Sequence, residues 1–354
     1  MKRYECLIGS YAERSEEGVL RYEVNFETGV FEKIDGTAGL LNPSYLCIDE
    51  EKKLVYAVEE MDREGALAVI DFGAGQAEIK SETATGGAHP CHVTEDALKK
   101  YLAVGNYSAD GEGGSIALFG LDKSGMPERR QVCYHKGSGP NLERQSFPHV
   151  HFSSFRGDNL LVCDLGTDTV CQYRLNRTED CLEETDENIH FPAGTGPRHL
   201  CFDVASDDWV YVACELDGYV RVLHRENGRY VFKQEADSLP METTPEQRCE
   251  NRTAAIKMTQ DGNYLLVTNR GDDSASLFKV GEDRLLTIKD IVKTGAVEPR
   301  ELTLFDDYIL IGHQSGKCIT AMKLDRETEK LKIFDMRLDM DVSPVCILNI
   351  TGCG

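Results

Sequence analysis

Hydrophobic residues along this chain fall in short runs, alternating or continuous, each closed by a cluster of small polar residues. No window holds the roughly 3.6-residue period of an amphipathic helix. In one representative stretch, strands are expected at His92 to Thr94, Tyr101 to Asn106, Ser115 to Leu121 and Arg130 to His135. Turn-rich pieces such as Asp110 to Gly114 and Asp122 to Gly125 separate them. Seven such runs end in a polar cluster, whose last residues are Tyr11, Glu60, Tyr107, Leu165, Glu215, Arg270 and Gln314. The intervals are 49, 47, 58, 50, 55 and 44 residues, and the step from Gln314 through the C-terminus back to Tyr11 is 51. A period of about 40–50 residues marks a propeller or solenoid made from one repeating unit, and this repeat closes on itself.

Proline supplies a second marker with the same count. It opens a strand-like run at Pro43, Pro90, Pro148, Pro197, Pro299 and Pro344, and the 102-residue gap between Pro197 and Pro299 holds an unmarked member near Thr253 to Lys257. Proline is tolerated at the start of a strand, where its missing N–H breaks no ladder bond. Four antiparallel strands repeated seven times about an axis give an all-β, seven-bladed β-propeller, expected to occupy residues 1–354 as a single domain. The first unit begins directly at Tyr4 to Ile8, whereas the C-terminus ends in the run Pro344 to Ile350. One blade is therefore expected to be shared between the two termini, which leaves few exposed strand edges.

Composition narrows the setting. At 41% hydrophobic and 28% charged, the chain reads as neither disordered nor membranous. Its apolar runs are too short to span a bilayer, and the one after Met1-Lys2-Arg3 is too short for a signal peptide. Most of the thirteen cysteines sit inside apolar runs, as Cys6, Cys47, Cys163, Cys201 and Cys346 do, and none forms a Cys-x-x-Cys pair. That pattern predicts buried thiols in a reducing, cytoplasmic setting. A net charge of −22 disfavours nucleic acid and anionic membrane as partners. Acid concentrates in the expected loops Thr178 to Glu187 and Glu235 to Glu250, a solvated surface. Nothing in the sequence specifies an oligomeric state.

In alternating strands, the start of the first and the end of the second lie on one face of the ring. Strand starts bring Tyr45, His92, His151, Arg198, His199 and Arg300 to that face. Second-strand ends bring Glu59, Glu60, Asn106, Tyr107, Asp164, Glu215, Asn269, Arg270, His313 and Gln314. Convergence of blade ends at one mouth makes this the default ligand site. Each residue also has a plainer role: the histidines as packing residues, Arg198 and Arg270 as ion-pair partners, Asp164 as a turn former, Asn106 and Asn269 as turn caps.

Several segments carry a resemblance as a set. They are Gly9-Ser10-Tyr11, Asn42 to Leu46, His89 to Val93, Asn106-Tyr107-Ser108, His149-Val150-His151, Asp164 to Asp168, Gly196 to His199, Glu215, Asn269-Arg270-Gly271 and Ser343-Pro344-Val345. The chain resembles, over essentially its whole length, the seven-bladed lactonase propellers, which include bacterial propeller-type 6-phosphogluconolactonases. The resemblance implies a catalytic cluster of His151, Arg198, Arg270 and Glu215, with His92, His199, Tyr45, Asn106, Asn269 and Gln314 as substrate-binding candidates. It implies an anionic sugar lactone as substrate and neither cofactor nor metal. Cys214-Glu215, Arg300-Glu301 and His313-Gln314 depart from the family's usual Asn-Glu, Arg-Asn and Asn-Gln.

Hydrolysis of a lactone needs a water, a base and a donor for the developing oxyanion. His151 or Glu215 suits the base, and Arg198 and Arg270 suit either an anionic group or the carbonyl. Without a Gly-x-Ser-x-Gly elbow, direct attack by water is the simpler route. Three other readings stay open at this point: a lactone-forming enzyme, a non-catalytic interaction propeller, and a metal-dependent lactonase using Glu60, Glu215 and Asn269.

Overall fold

A computed structural model describes residues 2–73, 76–108 and 113–351 of the protein; of the expected turn Asp110 to Gly114, residues 110–112 lie outside that set. Seven four-stranded antiparallel sheets follow one another along the chain, one of them extended by a two-residue strand. Their innermost strands are Ser343–Asn349, Leu46–Asp49, Ala88–Glu95, Val150–Arg156, Pro197–Phe202, Arg252–Met258 and Pro299–Phe305, which begin blades 1 to 7. The run near Thr253, which lacks a proline, is the innermost strand of blade 6.

Apolarity falls from the axis outward, and packing explains the gradient. Every residue of the second strand Leu54–Glu59 is buried, because neighbouring blades cover both faces of the sheet. The outermost strands Glu78–Ala84 and Lys330–Asp339 alternate instead, with one face toward water. The apolar core therefore lies in the seams between blades. Phe26 of blade 1, for example, stacks on Tyr308 of blade 7 at 4.3 Å between ring centroids.

The ring closes where both termini meet. Ser343–Asn349 pairs antiparallel with Tyr4–Tyr11, from Cys6 opposite Asn349 to Tyr11 opposite Ser343, so blade 1 takes one strand from the C-terminus and three from the N-terminus. The Thr303 hydroxyl donates to the carbonyl of Ile347 at 2.5 Å and ties this strand to blade 7.

A bulge recurs near the same end of the innermost strands. In blades 3, 4, 5 and 7, one extra residue stands between consecutive pairs with the second strand: Cys91, His151, Arg198 and Arg300 respectively. Ahead of it, Asn42, His89, Gly196 and Glu298 take positive φ immediately before the strand-opening prolines of blades 2, 3, 5 and 7. Proline disfavours the right-handed helical region for the residue before it, so the chain enters these strands through a fixed corner.

The sequence reading missed one helix. Pro245–Glu250 lies within the acidic stretch expected as loop, with Thr244 and Gln247 in a reciprocal capping box and proline in the first turn. Among the described residues, no helix is long and apolar enough to cross a membrane.

Removing residues 343–354 should strip blade 1 of its innermost strand and bare the edges of Tyr4–Tyr11. The expected result is insoluble protein or loss of a cooperative melt. A truncated chain that melts at the full-length temperature would show that closure is dispensable.

Candidate active site

At the mouth, one carboxylate gathers three guanidinium groups. Glu215, 1% exposed, follows the second strand of blade 5 and is held by Arg144 Nη2 at 2.5 Å on Oε1. Arg270 Nη2 at 2.8 Å and Arg198 Nε at 3.0 Å lie on Oε2. Arg198 is the bulged residue of its strand and is 1% exposed, while Arg270 ends the second strand of blade 6. Across the mouth Arg300, the bulged residue of blade 7, lies 5.5 Å from the Tyr11 ring centroid and donates to Gln314 Oε1 at 3.1 Å. Burial would push the Glu215 carboxyl up, but Arg270, Arg144, Arg198 and Arg300 outweigh it and bring it down to about 2. Burial and the charges of Arg270 and Arg300 bring Arg198 down to about 9, and Arg270 is lowered chiefly by burial.

Beside the arginines lies a group of rings. The His151 ring is 5.1 Å from that of His199 and 5.9 Å from Tyr107, which in turn stacks on His149 at 4.1 Å. His92 stands between Tyr45 at 4.3 Å and Phe152 at 4.1 Å, with His199 at 6.2 Å. Arg198 Nε and Nη1, His151 Nδ1 and both ring nitrogens of His199 are buried without a protein hydrogen-bond partner, the Arg198 Nε contact to Glu215 being an ion pair not aligned as a hydrogen bond, whereas His92 Nδ1 accepts from the Ser153 amide at 3.3 Å. Elsewhere along the innermost strands, Lys257 Nζ lies 3.5 Å from Glu301 Oε1.

The structure thus brings together His151, Arg198, His199, Glu215 and Arg270, with Tyr45 and His92 adjoining them through His199. Gln314 is engaged by Arg300. Both asparagine candidates are fully buried. Asn269 is enclosed by Ser238, Thr253 and Ser276, and Asn106 is fully buried and donates to Ser115 at 3.0 Å. Asn106 Oδ1 is buried without a protein hydrogen-bond partner, whereas both amide atoms of Asn269 are engaged. Asp164 is a turn former, accepting from the Gly166 amide. His313 is likewise engaged, by Thr320 at 2.9 Å and the Val297 carbonyl. The oxygens suggested for a cation have other partners: Glu60 takes the Ser44 hydroxyl at 2.6 Å and Glu215 takes the arginines. Among the described residues no cluster of three His, Cys, Asp or Glu side chains is placed to hold a metal.

Arg144 was missed entirely, because it lies on no strand. It belongs to the connection between blades 3 and 4, inside the 58-residue interval, the longest of the seven, and that excess length was the available signal. Arg300 was placed at the mouth, but its pairing with Gln314 was not foreseen.

Residues 5–349 match the family described as lactonase, 7-bladed beta-propeller. The protein belongs to that family. Among relatives, it is 27% identical to the 6-phosphogluconolactonase of Bacillus subtilis over 98% of both chains. It is 26% identical to that of Formosa agariphila over 92% of this chain and 94% of the other. The periplasmic gluconolactonase PpgL of Pseudomonas aeruginosa superposes with a TM-score of 0.89 at 26% identity, covering 100% of both chains.

Two consequences follow for this lactonase-family site. First, Glu215→Gln leaves three buried or half-buried guanidinium groups without their counter-ion, and should cost about 3–5 kcal/mol in unfolding free energy, measurable by denaturant titration. An unchanged midpoint would contradict that role.

Second, His92, His151 and His199 are each held well below the usual histidine range. Burial is the main cause in all three. Lys257 and Arg198 add to it at His92, Arg198, Arg300 and Arg270 at His151, and Arg198 at His199. An unfolded-chain histidine takes its proton near pH 6.5, and these three do so only at lower pH. Between those values the unfolded state holds more protons, so stability should fall as pH drops below about 6.5, by up to about 1.4 kcal/mol per pH unit per histidine. Glu215 adds its own loss lower down, between pH 4.5 and about 2. Melting curves from pH 7.5 to 5 on wild type and His92→Phe would check this, the variant being expected to show the shallower slope.

Proposed function

We propose that the protein hydrolyses a sugar lactone bearing an anionic group, with 6-phosphogluconolactone as the first substrate to try. The observation that carries the reading is the charge of the mouth. Arg144, Arg198, Arg270 and Arg300 converge in a chain of net charge −22; the nearby carboxylates Glu215 and Glu60 balance only half of them, and Glu301, which also acts on Arg198, is paired with Lys257. A buried excess of guanidinium is costly unless an anion joins it. The names of the relatives support the same substrate class.

In this reading the lactone carbonyl seats against the free Nη1 of Arg198, and a water lies at His151 Nδ1. Glu215 is a poor base, since its arginines keep it ionised down to about pH 2. His151 is neutral at physiological pH, and its buried Nδ1 has no protein partner that would compete for a proton. Water oxygen bonds to the acyl carbon as its proton passes to His151. Arg198 then stabilises the oxyanion of the tetrahedral intermediate. Collapse breaks the bond from the acyl carbon to the ring oxygen, which takes the proton back from His151, and the new acid ionises to solvent. The free cysteines, twelve among the described residues and mostly buried or half-buried, support a cytoplasmic location, and the continuous seams between blades support reading the chain as one domain.

The decisive assay follows acid release from freshly made 6-phosphogluconolactone beside unphosphorylated gluconolactone, with spontaneous hydrolysis subtracted. The phosphorylated substrate should show the higher kcat/KM. Its acid limb should fall below pH 6.5, since protonation removes the base and the surroundings of His151 lower that step. His151→Asn should abolish the limb and reduce turnover about 10²-fold or more. Wild-type turnover in His151→Asn would move the base elsewhere, and no acid release above background from either lactone would end the hydrolase reading.

A further inference from the structure

The connection that carries Arg144 is built as a rigid arm. Asp164 clamps both of its ends: Oδ2 receives His135 Nδ1 at 2.8 Å where the arm leaves blade 3, and Oδ1 receives the His149 amide at 2.8 Å where it enters blade 4. Between them, the fully buried Gln145 donates to the Leu165 carbonyl at 2.9 Å and to Asp168 Oδ1 at 2.7 Å, while its own oxygen accepts from the Asn141 amide at 3.2 Å. The residue next to Gln145 is therefore fixed over the mouth rather than swept across it.

Arg144 differs from the other arginines on Glu215 in two ways. Its side chain is 26% exposed, against 11% for Arg270 and 2% for Arg198, so it is the outermost of the three. It also has an oxygen of Glu215 to itself. Arg144 alone sits on Oε1, whereas Arg270 and Arg198 both remain on Oε2 if it turns away. A second contact, from Arg144 Nη2 to the Tyr107 hydroxyl at 3.4 Å, is weak enough to exchange.

We propose that Arg144 is the specificity-determining residue of the site, transferring from Glu215 to the distal phosphate of the substrate when the lactone ring lies against Arg198 and His151. This rests on the hydrolase reading above for its substrate and extends it by assigning phosphate selection to the arm between blades. The geometry suits the task. A lactone ring held deep by a 2%-exposed arginine leaves its far end toward solvent, where the most exposed guanidinium stands. A guanidinium also forks onto phosphate oxygens as readily as onto a carboxylate.

The test compares wild type, Arg144→Gln and Arg144→Lys on 6-phosphogluconolactone and gluconolactone. Calorimetric binding of 6-phosphogluconate and gluconate supplies a readout that needs no turnover. Arg144→Gln should lose at least about 10-fold more kcat/KM on the phosphorylated lactone than on the plain one, with the same imbalance in product affinity, and Arg144→Lys should recover part of it. Equal losses on both substrates would make Arg144 a prop for Glu215 and overturn the proposal, as would no loss on either. If wild type hydrolyses neither lactone, the hydrolase reading fails and binding decides: a preference for 6-phosphogluconate that Arg144→Gln erases sustains the phosphate site, and no such preference removes it.

Discussion

One extra residue in an innermost strand decides where the chemistry of this ring can stand. In a regular strand successive side chains point to opposite faces, so Arg198 and His199 would part company. The bulge at Arg198 breaks that alternation, and both side chains reach the mouth. The same insertion sets out His151 and Arg300 in their own blades. Bulges re-aim side chains at the rims of closed sheets, and here they do so from strands otherwise committed to packing. In blades 3, 5 and 7 a positive-φ corner before the strand-opening proline stands two residues ahead of the extra residue, whereas blade 4 carries its bulge at His151 without such a corner.

Charge balance is the second constraint. Each ion taken out of water costs several kcal/mol unless partners replace its hydration. Glu215 meets that need for three arginines at once, and their charges hold its carboxyl well below the usual carboxylate range. Burial, with the same arginines adding to it, lowers the neighbouring imidazoles. The surroundings thus push Glu215 and His151 in the same direction, down, but leave the first as an anion and the second as a neutral ring, a difference on which the proposed division of roles rests.

The fold was legible because a propeller writes its period into the chain twice, in the polar strand endings and in the prolines, and because family motifs span the whole length. The mouth was legible in part, since strand direction assigns residues to a face. What strand direction cannot assign is the azimuth of a side chain. Asn106 and Asn269 end their strands on the correct face, yet point into blade packing, where they lock turns. Arg144 escaped for the opposite reason: it has no strand, and only a long-range hydrogen-bond network from Gln145 and Asp164 brings it to Glu215. The bulges left a trace in the consecutive polar residues Arg198-His199 and Arg300-Glu301, which violate the two-residue period. The helix at Pro245–Glu250 carried its capping signature openly but was too short for a periodicity search.

Closure by the last strand has a consequence for the order of events at synthesis. At about 5–20 residues per second, the first three strands of blade 1 wait tens of seconds for a partner encoded more than 300 residues later. During that wait Tyr4–Tyr11 presents a bare inner edge, and the seam that Phe26 will share with Tyr308 stays open to water. The mouth cannot assemble in this interval, because its arginines come from blades whose angular spacing is settled only when the circle is complete.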